Sequence, residues 1–171
     1  MWSDPVFEII PNGMRVVVEV GTYEGAWTRR LIDVVPGRYV VNCVDSWEGK
    51  HARRRAKFDA VLAPEIKSGK VLVHAGRSLD VAPLFDTVNI DFLFIDGDHL
   101  DVYRDLCAWV PRVRPGGLVV LHDYAGHSQS HAVHSDLLKY FSGVESWSAG
   151  PVVGRSAGAA GRIWSAWFHK T

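Results

Sequence analysis

Short β-branched and apolar runs alternate along the chain with longer segments in which apolar residues recur at helical spacing. The runs are Arg15–Val20, Tyr39–Val44, Lys70–His74, Asp91–Ile95 and Gly117–His122, and they read as five strands. They are mostly apolar throughout rather than alternating, and about 16–25 residues separate them, room for a crossover helix and two loops. Strands of that kind are parallel and buried on both faces. Helices are expected at Gly25–Val34, Lys50–Leu62, Ser78–Leu84 and Leu100–Val110, the last stopped by Pro111 and by Pro115-Gly116-Gly117. A further helix is expected over His131–Phe141. After Gly143 the pattern changes, and Val144–Ser148 and Arg162–His169 read as two strands joined by a loop rich in Gly, Ser and Ala. A βαβ series closed by a β-hairpin predicts one α/β domain, a doubly wound sheet with an antiparallel strand at or near its edge.

The chain has 171 residues, 47% of them apolar and 22% charged, which is enough length and apolar content for one domain with its own core. Nineteen basic residues balance nineteen acidic ones. A net charge of zero weighs against a nucleic-acid partner, which calls for a basic excess on one face. The one basic run, Arg53-Arg54-Arg55 with Lys57, falls in a helical pattern. Cys43 and Cys107 stand in apolar stretches and read as small buried hydrophobes, not as a disulfide framework. No apolar run approaches the ~20 residues of a membrane span, and the first residues lack the features of a signal peptide. The expectation is a cytoplasmic protein with no membrane partner, monomeric or homodimeric.

In an open parallel sheet, ligands bind beyond the carboxyl ends of the strands. Here those ends are polar. The first leads through Glu19-Val20-Gly21-Thr22-Tyr23-Glu24-Gly25 into a helix, where glycine lets backbone approach a ligand and free N–H groups point outward. Its spacing lacks the three glycines of a dinucleotide cradle, and a plain strand-to-helix turn is the alternative. Asp45, ending the second strand, suits ribose hydroxyls or caps the next helix. Trp47 lies against an adenine or fills a groove, and Ser78, after Arg77, contacts a ligand or caps its helix.

The fourth strand ends in Asp96-Gly97-Asp98-His99 and the fifth in His122-Asp123-Tyr124. Neighbouring strands lie ~5 Å apart, so Asp96 can converge with His122 and Asp123 on a divalent cation such as Mg²⁺, with His99 beside it as a general base. The alternative makes Asp98 and His99 helix caps and leaves His122 bonded to backbone. His127, His131 and His134 share a helical face and read as solvated or pocket-lining residues, with a second metal site as the lesser reading. Trp2, Trp27, Tyr124, Trp147 and Trp164 line an aromatic acceptor pocket or belong to the core.

Together, Glu19–Gly25, Val44-Asp45-Ser46-Trp47, Phe94–His99, Asp105–Pro111 and Pro115–Tyr124 resemble class I S-adenosylmethionine-dependent methyltransferases. Within them the chain is most similar to the small bacterial group called methyltransferase family 24, related to metal-dependent sugar and catechol O-methyltransferases. The match runs from about Val16 to Tyr124, with five motifs in order. The resemblance implies a Rossmann-like, mostly parallel seven-stranded sheet of order 3-2-1-4-5-7-6 with strand seven antiparallel. It implies that Glu19, Gly21 and Gly25, in a loop shared with Thr22 and Tyr23, lie along the methionine portion of S-adenosyl-L-methionine. Asp45, with Ser46 beside it, would hold the ribose; Trp47, Arg77 and Ser78 would lie near adenine, and Asp96 and Gly97 would complete the contacts.

It also implies Mg²⁺ or another divalent cation at Asp96, His122 and Asp123, and His99 as the base that takes the acceptor's proton. The relatives usually place a carboxylate where this chain has His122. The first strand begins near residue 15, so the acceptor site is expected to be open or completed by Ser148–Gly161. The activity implied is O-methylation of a small-molecule hydroxyl, sugar-like or phenol-like. The alternatives are metal-independent methylation of a nitrogen or carboxylate, and a nucleoside-binding module without catalysis.

Overall fold

Each of the five apolar runs from Arg15 to His122 becomes a strand in the computed structural model, which describes residues 6–125, 130–142, 152–156 and 163–170. The strands are β1 (Val16–Val20), β2 (Val40–Asp45), β3 (Val71–Ala75), β4 (Ile90–Ile95), β5 (Val113–Ala125), β6 (Val152–Ser156) and β7 (Ile163–His169). The helices are α1 (Val6–Ile9), α2 (Ala26–Val34), α3 (Ala52–Val61), α4 (Ala63–Lys67), α5 (Ser78–Val81), α6 (Val102–Trp109) and α7 (Ser130–Ser142). Single 3₁₀ turns at Gly49–His51, Ala82–Phe85 and Val110–Arg112 precede α3 and follow α5 and α6.

The seven strands form one sheet of order β3-β2-β1-β4-β5-β7-β6. β1 pairs in parallel with β2 and β4, β2 with β3, and β4 with β5. β7 runs antiparallel to both β5 and β6, as the expected topology requires. Strand six stands at Val152–Ser156, where turn chemistry was expected; Val144–Ser148, read as a strand from its apolar residues, lies outside the described residues.

The sheet divides the core by the period-two geometry of its strands. Val17, Val41, Cys43, Phe92, Phe94, Leu118 and Val120 face one way, against Val6 of α1, Leu31 of α2 and Phe58 of α3. Val18, Val20, Val44, Leu93, Ile95, Val119 and Leu121 face the other, against Val81 of α5, Leu106 and Trp109 of α6 and Leu137 of α7. Neighbours along one strand thus serve opposite layers, which is why the runs had to be apolar throughout.

One buried carboxylate braces the amino ends of the strands. Asp91 accepts the N–H groups of Arg15 and Val16 at 2.7 and 2.9 Å and pairs with Arg114 Nε at 2.5 Å. Burial alone would raise its pKa, yet the Arg114 guanidinium and the two N–H groups bring it below the usual carboxylate range.

Candidate active site

The loop between β1 and α2 leans on the end of β4. Gly21 (φ 87°) donates its N–H to the Val44 carbonyl at 2.8 Å, and Asp96 donates to the Val20 carbonyl at 2.8 Å. A Cβ at Gly21 would lie 2.3 Å from the Asp96 carbonyl oxygen, so only glycine fits. At Gly25 (φ 79°) a Cβ would meet Leu62 and Phe58 instead, so this second glycine lets α2 sit against α3.

Asp45 ties this loop to the next. Its carboxylate accepts the N–H of Tyr23 at 2.8 Å through Oδ2 and the N–H of Trp47 at 2.9 Å through Oδ1. Trp47 is buried, packs on Phe58, lies under the Arg55 guanidinium and donates its indole N–H to the Tyr23 carbonyl at 2.7 Å. It therefore fills the groove between the two loops and holds them together. The Ser46 hydroxyl accepts the Glu48 N–H, and Arg77, mostly exposed, reaches Glu48 at 3.5 Å.

Beneath the loop, Glu19 is buried and accepts the hydroxyl of Thr28, which in turn touches the Cys43 thiol. Burial pushes its carboxyl well above the usual range, with Thr28 pulling the other way and the charges of Asp96 and Asp45 adding to the rise. The Thr22 hydroxyl is buried without a hydrogen-bond partner among the described residues. A buried hydroxyl left in that state costs free energy, on the order of 1–3 kcal/mol, unless a ligand bonds to it.

The ends of β4 and β5 bring charged groups together. His99 Nε2 lies 3.0 Å from Asp123 Oδ2 and 3.7 Å from Asp96 Oδ1. His122 Nδ1 lies 3.2 Å from Asp96 Oδ1 and 3.4 Å from Asp123 Oδ1. Asp123 has a left-handed backbone (φ 53°), at the register irregularity between Leu121 and Ala125 where β5 pairs with β7. That backbone turn lets consecutive side chains, His122 and Asp123, serve the same cluster, which a regular strand would send to opposite faces.

The cluster's charges follow from its contacts. Asp123's hydrogen bond raises the pKa of His99 against the cost of burial, and the Asp96 charge adds to it. Burial opposes the charged form of His122, but its hydrogen bonds to Asp123 and Asp96 outweigh that and push it up to about 10. Burial would raise Asp123 too, yet the two imidazoles hold it well below the usual range. Asp98 serves locally, accepting the Leu100 N–H at 3.0 Å. His134 is exposed, while His127 and the side chains of His131, Tyr124 and Trp164 lie outside what the structure describes. Trp27 stacks on Phe94 at 3.9 Å and next to Phe7, as part of the core.

One participant escaped the sequence reading. Asp105 is buried on the apolar stripe of α6, among Val102, Leu106 and Trp109. It accepts the Ser78 hydroxyl at 2.5 Å, and Ser78 Oγ accepts the Trp109 indole N–H at 2.7 Å. Ser78 is thus a bridge between helices and makes no side-chain cap. Burial raises Asp105 to about 6 despite the Ser78 bond. A carboxylate at an i, i+3, i+4, i+7 apolar position was the available signal.

The sequence profile of the methyltransferase-domain family matches residues 18–124, which span the glycine loop, Asp45 and the charged cluster. The chain belongs to that family. A methyltransferase-family relative from Mycobacteroides abscessus, provisionally named an O-methyltransferase, is 31% identical over 113 residues, 65% of this chain and 50% of that protein. A protein designated R132 from Acanthamoeba polyphaga mimivirus is 28% identical over 145 residues, 78% of this chain and 62% of that one. The chain thus spans about half to three-fifths of the curated relatives it matches. Among solved structures, the O-methyltransferase TomG from Streptomyces achromogenes, in complex with SAM, superposes with a TM-score of 0.73 at 19% identity, covering 92% of this chain and 74% of that one. The Bacillus cereus O-methyltransferase in complex with SAH gives 0.73 at 17% identity, covering 92% and 75%. The methyltransferase fold is shared throughout. Among the described residues, no helix is long and apolar enough to cross a membrane.

Proposed function

We propose that this methyltransferase moves a methyl group from S-adenosylmethionine to a hydroxyl of a small, sugar-like or phenol-like acceptor. The observation that carries the reading is the convergence of Asp96, His99 and Asp123 at the carboxyl ends of β4 and β5, beside the Gly21 loop. When bound, S-adenosylmethionine supplies a methyl already activated on its sulfonium. Asp45, with two N–H donors already on its carboxylate, keeps acceptor capacity for ribose hydroxyls. The Thr22 hydroxyl and the Glu19 carboxyl suit the polar methionine end, and the rim at Ser46 and Arg77, beside the buried Trp47, suits the base. The fit is supported by the buried Thr22 hydroxyl, which a ligand would satisfy.

His99 Nε2 stands 3.0 Å from Asp123 Oδ2 as an ion-pair contact, which leaves Nδ1 to take the acceptor's hydroxyl proton. Asp123 stabilises the imidazolium so formed. Asp96, Asp123 and one imidazole also fit a divalent cation, since the ligand atoms of Asp96, His99 and Asp123 lie within 4.8 Å of one another. With His122 as the nitrogen ligand, His99 stays available for the proton. Such a cation would orient the acceptor hydroxyl and lower its pKa; the carboxylates suit Mg²⁺ or Mn²⁺, and an imidazole among the ligands admits Zn²⁺ or Fe²⁺. A second reading, metal-independent transfer, is favoured by His122 Nδ1 standing between the two carboxylates, where its own positive charge serves.

The test is calorimetric titration of S-adenosylmethionine, with and without Mg²⁺ or Mn²⁺, followed by transfer assays on a panel of hydroxylated acceptors. Micromolar binding with hydroxyl methylation supports the proposal. Loss of transfer in EDTA selects the cation, and survival selects the His122 reading. Binding without transfer to any acceptor leaves a nucleoside-binding module, and no binding by the folded protein overturns the whole reading.

A further inference from the structure

At the end of the sheet opposite Asp45, Asp96 and Asp123, three neighbouring strands begin alike. Gly13-Met14-Arg15 leads into β1, Gly37-Arg38-Tyr39 into β2 and Gly69-Lys70 into β3, and the three glycines have positive φ of 77°, 137° and 75°. Each such turn delivers a cation to the same rim. Because β2 lies between β1 and β3, and neighbouring strands are ~5 Å apart, the backbones that carry Arg15, Arg38 and Lys70 start within about 10 Å of one another across the sheet. They line an open cleft of about 670 Å³ with Gly37, Tyr39 and Val40.

None of the lining residues is acidic. Lys70 Nζ lies 3.1 Å from the centroid of the Tyr39 ring and donates to the Gly37 carbonyl at 3.2 Å. The ring itself is fixed, its hydroxyl reaching the carbonyls of Val35 at 2.9 Å and Leu31 at 3.2 Å. The ammonium is therefore held by a π face and a carbonyl rather than by a counter-ion. Neither the Arg15 nor the Arg38 guanidinium pairs with a carboxylate among the described residues, whereas those of Arg29, Arg54, Arg55, Arg104, Arg112 and Arg114 each do. Asp91, which holds the Arg15 backbone, directs its charge to Arg114.

We propose that this cleft is a second binding site, remote from the methyl-transfer site, for a small molecule bearing more than one phosphate. Two guanidiniums and an ammonium, with no acid among them, offer forked and point-charge donors that match phosphate oxygens. Three cations in a concave cleft suit a short di- or triphosphate. A nucleic-acid strand would need a longer basic face than these three cations supply.

The probe is inorganic pyrophosphate, titrated calorimetrically into the full chain, the Arg15→Ala/Arg38→Ala double variant, Lys70→Met and His99→Ala, with circular dichroism to verify folding. The expected result is saturable binding that weakens as salt rises, by ~10-fold or more in the double variant, and stays unchanged in His99→Ala. Arg38→Gln, a change at an exposed side chain, keeps the test open if the double variant does not fold. Failure of the wild type to bind pyrophosphate, equal binding by all variants, or loss confined to His99→Ala overturns the proposal. So does tighter binding of a short single-stranded RNA than of pyrophosphate, which would assign the rim to nucleic acid. S-adenosylhomocysteine binding, measured on the same samples, reports on the methyltransferase reading separately.

Discussion

The two halves of the candidate active site are built with different forces. On the β1–β2 side, Asp45 grips two backbone N–H groups and Trp47 grips a backbone carbonyl, so the loops are fixed in shape. On the β4–β5 side, two carboxylates and two imidazoles face one another through side-chain contacts of 3.0–3.7 Å. The first arrangement preserves a surface whatever the ligand's charge. The second stores charge whose distribution shifts with one proton, so under the proposed function the first half suits binding and the second proton chemistry.

The sharpest way to break this comparison is His99→Ala, expected to lower turnover by ~10²–10⁴-fold while S-adenosylhomocysteine affinity, measured by calorimetry, stays nearly the same. Parallel losses in both would mean that the halves do not divide the work. Next is Asp45→Ala, which removes the acceptor of two N–H groups and should weaken cofactor binding by ~10²-fold, since hydrogen bonds to charged groups contribute roughly 1.5–3 kcal/mol each. Turnover at saturating cofactor should change much less.

The smallest effect expected is on stability, through Asp105 below the site. Its pKa in the fold is about 6, above its ordinary value. The native state therefore holds this proton more tightly than the unfolded chain, so the stability it lends is present at low pH and is lost as pH rises through about 6. Asp105→Asn keeps an acceptor for Ser78 and should flatten the pH dependence of denaturant unfolding between pH 4 and 7 by roughly 1–2 kcal/mol. An unchanged slope would show that Asp105 ionises freely in the fold.

How much of this was legible in the sequence depended on whether local pattern and tertiary environment agreed. The central strands were readable because Val17, Val41 and Phe92 serve one layer while Val18, Val44 and Leu93 serve the other, leaving unbroken apolar runs. The order of the seven strands came from the resemblance, since pairing between distant segments leaves no local mark. α4 lies beyond the helix expected over Lys50–Leu62: Pro64 sits in the first turn of a new helix, where its missing N–H costs nothing. The convergence of Asp96 with Asp123 followed from strand neighbourhood. That His99 Nε2 comes within 3.0 Å of Asp123 did not, because it depends on the left-handed backbone of Asp123, which no composition announces. Trp47 stayed ambiguous for the same kind of reason, its groove being made by Phe58 from another helix.

The missing side chain at Gly21 has a mechanical consequence. With its Cα against the carbonyl that ends β4, and Asp96 hydrogen-bonded back to Val20, the two loops cannot slide independently. A ligand that displaced the first loop would therefore press on the Asp96–Gly97 peptide, one strand away.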